Sequence, residues 1–373
     1  MNKANSAGTD RHYDTIIIGA GIAGMSAGAL LAADQRVLII EMETAPGYHA
    51  TGRSAAYFAP SYGNEVVRRL TRLSEKFIRQ PPAGFTDVPL ISDRNAMFIG
   101  RPDQQAALLA MQVENPHLQW LSPETVLKHL PRLKPEIGLQ GLLDTDGGDL
   151  DVDALLQGFS RLFHRRGGKL ITGQAVASLD RKSQNWEINA NYTADRIINA
   201  AGAWADNIAS LAGLTPLGLQ PCRRTALLMS CPEDMTGWPL TIGVDEDFYC
   251  KPDAGRLLIS PANENPSVAM DAQPEELDVA IAMDRAAGLL DLPLTKPQNQ
   301  WAGLRTFAPD RTFVVGEDPR ASGFFWLAGQ GGYGVQSSPA MAALIRYLIT
   351  GDNSGYDFDE PLINAVRPGR LIP

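Results

Sequence analysis

A chain of 373 residues is longer than one ordinary core supports, since single hydrophobic cores stop growing near ~250–300 residues, so two domains are expected. With 44% hydrophobic and 20% charged residues, 35 Gly and 26 Pro, the composition is globular and excludes a disordered or fibrous chain. The formal net charge of −9 argues against nucleic acid or an anionic membrane as the main partner, because both require a basic surface.

Cys222, Cys231 and Cys250 are odd in number and fit neither a redox pair nor a zinc knuckle, which points to a reducing, cytoplasmic location. The polar stretch 1–11 has no apolar signal core and reads as a disordered tail. Residues Tyr13 to Ile18 suit a buried parallel strand, Gly19 to Gly24 a glycine turn, Met25 to Ala33 a helix, and Arg36 to Glu41 a second strand. The uncharged run from Ile16 to Ala33 has the length of a membrane span, but its glycines and the flanking Asp14 and Asp34 favour a βαβ unit, and no transmembrane segment is expected.

Further along, Glu65 to Gln80 carries Val66, Leu70, Leu73 and Phe77 at helical spacing, with Arg68, Arg69, Arg72 and Arg79 on a solvated face. Ser122-Pro123-Glu124 has the chemistry of a helix start. Asp153 to Arg166 reads as a helix stopped by Gly167-Gly168. Strands follow at Lys169 to Thr172, Val176 to Leu179, Trp186 to Asn189 and Arg196 to Ala200, the last leading into a second glycine turn. Alternation in Ala226 to Met229, Phe248 to Lys251 and Arg256 to Ile259 predicts an antiparallel sheet between residues 216 and 304, and βα signatures return from Phe324 to Ile349. The fold class is therefore α/β (α+β): a discontinuous Rossmann-like domain over 13–91, 150–215 and 305–373, and a mixed or antiparallel-sheet domain over 92–149 and 216–304.

The chemistry begins at Gly19-Ala20-Gly21-Ile22-Ala23-Gly24, where glycines allow a tight turn, close approach to a pyrophosphate and helix packing, while the helix N-terminus offers N–H groups to phosphates. Glu41, closing the next strand, supplies the carboxylate that a ribose needs. Three further segments favour a long, extended cofactor, FAD rather than NAD. These are the polar loop 46–56 with Thr51, Gly52, Arg53, Ser54, Ala55 and Ala56, the turn at Ala201, Gly202 and Trp204, and the loop Gly331-Gly332-Tyr333-Gly334-Val335-Gln336. The helix after that last loop would direct its positive end at a reduced, anionic flavin.

Taken in order, these segments resemble the glycine/D-amino-acid oxidase family of flavoproteins, and within it the bacterial D-arginine dehydrogenases. The likeness also rests on Pro81-Pro82-Ala83-Gly84-Phe85, Phe248-Tyr249, Lys251-Pro252-Asp253-Ala254-Gly255 and Trp301-Ala302-Gly303-Leu304-Arg305. The resemblance implies a non-covalent FAD contacted by the three glycine regions, Glu41 and Val176, with a substrate domain over the isoalloxazine. It also implies that Arg224 and Arg305 hold a substrate carboxylate, with Tyr249 and Tyr62 near it and the Gly332 carbonyl and Gln336 near the amine. An Arg fork grips a carboxylate with two charge-assisted bonds, although the neighbouring Arg223 could exchange roles with Arg224.

No residue need act as covalent catalyst, because the neutral amine can drive hydride from Cα to the flavin, giving an imino acid for water to hydrolyse. At the places where D-arginine dehydrogenases carry a glutamate and a histidine, this chain has Ala96 and Tyr57, so a neutral or apolar D-amino acid is expected in preference to a cationic one. Oxidation of glycine or an N-substituted glycine is the alternative, and a non-catalytic flavin-binding protein the second. Either oxygen or a quinone or other acceptor could take the electrons. The run from Asp144 to Asp153 lacks the bidentate Glu of a calcium loop, and the five histidines show no ligand spacing, so no metal is expected. Ser54 has no nucleophile elbow.

Overall fold

The computed structural model describes residues 11–372, so the tail expected over 1–11 lies outside the described residues except for Arg11. Two large sheets organise the chain. The first has eight strands, in the order 179–182, 185–188, 192–199, 12–18, 37–40 and 169–171, with 324–328 pairing to 192–199 and 314–317 to 324–328. Its centre is parallel, as strands rich in Ile and Val and buried on both faces require. Strand periodicity sorts the faces: Ile17 and Ile39 join one apolar cluster, while Ile16, Ile18, Leu38 and Ile40 join the other.

Helices Ile22–Leu31, Val152–Arg165 and Gly334–Thr350 cover the first face, and the short helix Ala205–Leu211 covers the second. The first helix starts at Ile22, earlier than the sequence pattern placed it, because the glycine turn itself supplies the first helical turn. None of the helices among the described residues is long and apolar enough to cross a membrane.

The second sheet has nine strands, in the order 265–266, 220–229, 256–260, 249–253, 240–243, 96–100, 140–144 and 119–121, with 299–307 on the free side of 220–229. The long antiparallel ladder between Gln220–Met229 and Asn299–Phe307 sets Cys222 opposite Arg305 and Arg224 opposite Gly303. Directly opposed residues share a face, so Arg224 and Arg305 project from one side as diagonal neighbours, roughly 7–8 Å apart at the backbone. A small three-stranded sheet, 57–58, 148–150 and 91–93, lies beside the two large ones.

One expected strand does not form. Residues 172–178 are irregular, and the strand there begins at Leu179. The Asn189 side chain accepts from the amides of Ala177 at 2.8 Å and Ser178 at 3.2 Å and donates to the Ala175 carbonyl at 2.9 Å, so this backbone is satisfied by a side chain instead of a ladder. That leaves Gln174 to Val176 free to line a cavity.

Candidate active site

The carboxyl ends of the parallel strands 12–18, 37–40, 192–199 and 324–328 converge on a cavity of about 670 Å³, the place where open α/β sheets bind ligands. Gly19 sits at φ 103°, and a Cβ there would lie 2.6 Å from the Ala200 carbonyl oxygen, so only glycine permits this crossing. Thr51 Oγ1 accepts from the Ile22 amide at 3.0 Å, and a Cβ on Gly21 would meet that oxygen at 3.3 Å. Glu41 accepts from the Ala20 amide at 2.6 Å and the Glu43 amide at 2.9 Å. A carboxylate has about four lone-pair sites, so acceptor capacity remains for ribose hydroxyls.

Of the other residues expected at the cofactor, Ala23, Ser54, Ala55, Val176, Ala201, Gly202, Trp204, Gly331, Gly332, Gly334 and Val335 line the cavity. Gln330 Nε2 and Thr306 Oγ1, also in its wall, are buried without a hydrogen-bond partner among the described residues. Orphaned polar atoms of this kind fit a ligand that carries hydrogen-bonding edges.

Several residues expected at the cofactor lie outside the cavity wall or have their side chains engaged elsewhere. Gly24 does not line the cavity; it is small because a Cβ would run into the Gly19 carbonyl, a packing role. Gly52 likewise closes a turn, its amide bonding the Gly47 carbonyl at 2.7 Å. Ala56, at φ 56°, borders a second cavity of about 410 Å³ instead. Arg53 touches the main cavity, but its guanidinium is spent on Asp271 and on the carbonyls of Ala272 at 2.8 Å and Ala302 at 2.9 Å. Tyr333 lies behind the wall, its ring 5.1 Å from that of Tyr62. Gln336 points its side chain elsewhere: its Oε1 accepts from the Ala59 amide at 3.0 Å and its Nε2 donates to Thr71 Oγ1 at 2.9 Å, which ties the helix Gly334–Thr350 to the helix Glu65–Arg79.

Two arginines also meet the cavity, and strand parity decides between Arg223 and Arg224. Arg223 faces the other side, paired with Glu275 and with Asp278 at 2.9 Å. Arg224 is 7% exposed and lines the cavity, its Nε donating to the Asn263 carbonyl at 2.8 Å and its Nη2 to Glu264 Oε1 at 3.0 Å. Arg305 is partly buried, lines the cavity and forms no hydrogen bond or ion pair with the described residues. A Cβ on Gly332 would come within 2.8 Å of its Nη1, so that glycine makes room for the guanidinium.

The phenols respond to these cations. Burial, then Tyr333 and Glu246, pushes Tyr62 well above its usual range, so it is a protonated donor, and it donates to Glu246 Oε2 at 2.7 Å. Burial also pushes on Tyr249, but Arg305 and Arg224 beside it outweigh that and hold its pKa below the ordinary value. Burial, then repulsion from Arg305, lowers Arg224. Tyr249 lines the cavity, whereas Tyr62 stands outside its wall beside Tyr333.

Ala96 and Tyr57 do not line the cavity directly. They belong to the apolar cluster that also contains Leu228, Leu258 and Trp301, and that reaches the cavity through Tyr249 and Ala55. Tyr57 donates its hydroxyl to the Arg94 carbonyl at 2.5 Å, and burial pushes its pKa far up. Glu246, Glu264 and Arg311 escaped sequence reasoning, because all three sit in turns where no periodicity marks them. His117, Asp144 and Asp146 bring possible ligand atoms within 4.8 Å of one another, unseen in the spacing because a strand pairing creates the proximity. Asp144 there already accepts from Ser61 and from the Asp146 amide at 3.0 Å.

A dinucleotide cradle at the ends of a parallel sheet, with two arginines from a second sheet in the same cavity wall, defines a nucleotide-cofactor oxidoreductase. Residues 14–348 match the family described as DAO, FAD dependent oxidoreductase, and the chain belongs to that family, with FAD as its cofactor. It is 24% identical over 366 residues to glycine oxidase from Geobacillus kaustophilus, covering 92% of this chain and 95% of the relative. The crystal structure of a glycine oxidase from that organism aligns with a TM-score of 0.81 at 21% identity, over 94% of this chain and 98% of the other. Monomeric sarcosine oxidase from Bacillus sp. strain B-0618 is 25% identical over 225 residues, 57% of each chain. FAD-bound L-alpha-glycerophosphate oxidase from Mycoplasma pneumoniae also aligns at a TM-score of 0.81, with 16% identity, over 91% of this chain and 94% of that one.

Proposed function

We propose that the protein oxidises the carbon–nitrogen bond of a small amino acid, a D-amino acid with a neutral or apolar side chain. The observation that carries this reading is Arg305, a cation facing the cavity with no ion pair among the described residues, set beside Arg224 on one sheet face. A guanidinium without a partner is stabilised by a ligand carboxylate, through bonds stronger than those between neutral groups. In this reading the first sheet holds the cofactor and the second carries the substrate.

Bound FAD supplies the two-electron acceptor. The chain's own work is orientation: Arg305 and Arg224 fix the carboxylate, Tyr249 flanks it, Tyr62 stands behind the wall on Glu246, and the Gly332 carbonyl accepts from the amine. The oxidised product is an imino acid, which water converts to a 2-oxo acid and ammonia. The electrons then pass to oxygen or to a quinone or other acceptor.

The motif likeness to D-arginine dehydrogenases supports the D configuration, while Ala96 and Tyr57 in an apolar cluster favour an uncharged side chain. The carboxylates that act on Tyr57 are already committed, Asp144 to Ser61 and Asp149 to Arg94 and Lys251, so a cationic head there would lose water and gain no free partner. Glycine or an N-substituted glycine is the second reading, favoured by the likeness to glycine and sarcosine oxidases. The test is anaerobic bleaching of the flavin by a panel of neutral, cationic and aromatic D-amino acids, their L-enantiomers, glycine and N-methylglycine. Fastest bleaching by a neutral D-amino acid supports the first reading; D-arginine or D-lysine leading by tenfold or more refutes the pocket argument.

A further inference from the structure

Arg224 and Arg305 differ in one respect that strand geometry does not explain. Arg305 makes no ion pair among the described residues, whereas Arg224 keeps one with Glu264. That carboxylate is shared, because Arg311 Nη2 donates to Glu264 Oε1 at 3.1 Å and to Oε2 at 2.9 Å. The three groups therefore form a row running outward from the cavity: Arg224 is enclosed, Glu264 is 27% exposed and Arg311 is 50% exposed. Arg311 is itself fixed, with its guanidinium 4.0 Å from the centroid of the Phe307 ring and its backbone at φ 58°. Phe307 packs so closely on Gly331 of the cavity wall that no Cβ would fit there.

We propose that Glu264 and Arg311 are a charge-tuning pair for the carboxylate clamp, positioning residues that set how much of Arg224's charge a substrate can use. The inference rests on the reading that Arg224 and Arg305 receive a carboxylate. Glu264 orients the Arg224 fork and also competes with the incoming anion for it. Arg311 divides that competition by taking part of the Glu264 charge. Neutralising Glu264 releases Arg224 to the substrate, whereas removing Arg311 leaves the full Glu264 charge opposing it. The two substitutions should thus act in opposite directions on anion affinity, which a pair that merely braced the two loops would not do.

The experiment uses FAD-loaded protein and benzoate, a carboxylate with no oxidisable C–N bond, followed by its perturbation of the flavin spectrum. Glu264→Gln should tighten benzoate binding by roughly 3- to 10-fold and Arg311→Ala weaken it by a similar factor, the scale of one partly screened ion pair. In the double variant the Arg311→Ala effect should shrink below about 2-fold, since its partner charge is gone. With substrate, KM should move and kcat stay. Weaker or unchanged binding in Glu264→Gln overturns the inference, as does unaltered binding in Arg311→Ala, which decides alone if Glu264→Gln loses its FAD. Failure of the underlying reading looks different: benzoate would then not bind the wild-type protein, or would bind Arg305→Met as tightly.

Discussion

The sharpest consequence of an unpaired Arg305 concerns what happens when it is removed. Arg305→Met keeps the length and apolar stem of the side chain but deletes a charge that has no ion-pair partner among the described residues, so folding loses no native salt bridge. The variant should therefore melt at or above the wild-type temperature and keep its full complement of FAD. Catalysis should suffer instead, because removing one side of a buried charge-assisted pair costs on the order of 2–4 kcal/mol, or roughly 30- to 1000-fold in kcat/KM. The assay pairs a thermal melt and flavin stoichiometry with steady-state turnover of a neutral D-amino acid and an artificial electron acceptor. Arg224→Met is the internal contrast: it strips partners from Asn263 and Glu264, so its melting temperature should fall along with its activity. Unchanged kinetics in Arg305→Met with a lowered melting temperature would refute the reasoning and make Arg305 structural.

Gly19→Ala should purify without yellow colour, since its Cβ would meet the Ala200 carbonyl at 2.6 Å and its φ of 103° excludes L side chains; full flavin content would contradict this. The FAD should be free of any covalent link, because Cys222, Cys231 and Cys250 all lie outside the cavity wall, and acid precipitation should leave the colour in the supernatant. Asp318 is buried, which raises its pKa, but bonds from Arg320 at 2.7 Å and Trp326 at 3.0 Å outweigh this and hold it below the usual carboxylate value. The stability it contributes is present above the unfolded value near 3.9 and is lost as pH falls through the lower folded value. Asp318→Asn should thus cost about 2–3 kcal/mol at pH 7, and the gap from wild type should close as pH falls through the lowered folded value; a gap independent of pH in urea melts would contradict the assignment.

The cofactor cradle was legible because its constraints are local. A strand, a glycine turn and a carboxylate after the next strand occupy one short stretch, and the structure places Gly19, Gly21 and Glu41 at one cavity. The two arginines were legible only as candidates, and the choice between Arg223 and Arg224 needed the register of a ladder whose strands lie far apart in the chain. The sequence locates Gln336 at a helix start without saying which way that turn points, and its amide finds Ala59 and Thr71. The side-chain pattern around Val176 suits a strand, yet Asn189, beyond a hairpin, takes over the backbone bonds. Glu264 and Arg311 carry no local signal at all. Their meaning exists only where two loops meet beside Arg224.

If a carboxylate-bearing amine gives up its electrons in this cavity, one anaerobic turnover of the FAD-loaded protein with D-leucine should yield reduced flavin, 2-oxo acid and ammonia, one equivalent of each, with L-leucine far slower. Flavin that stays oxidised with every amino acid, yet bleaches with a 2-hydroxy acid, would contradict this reading.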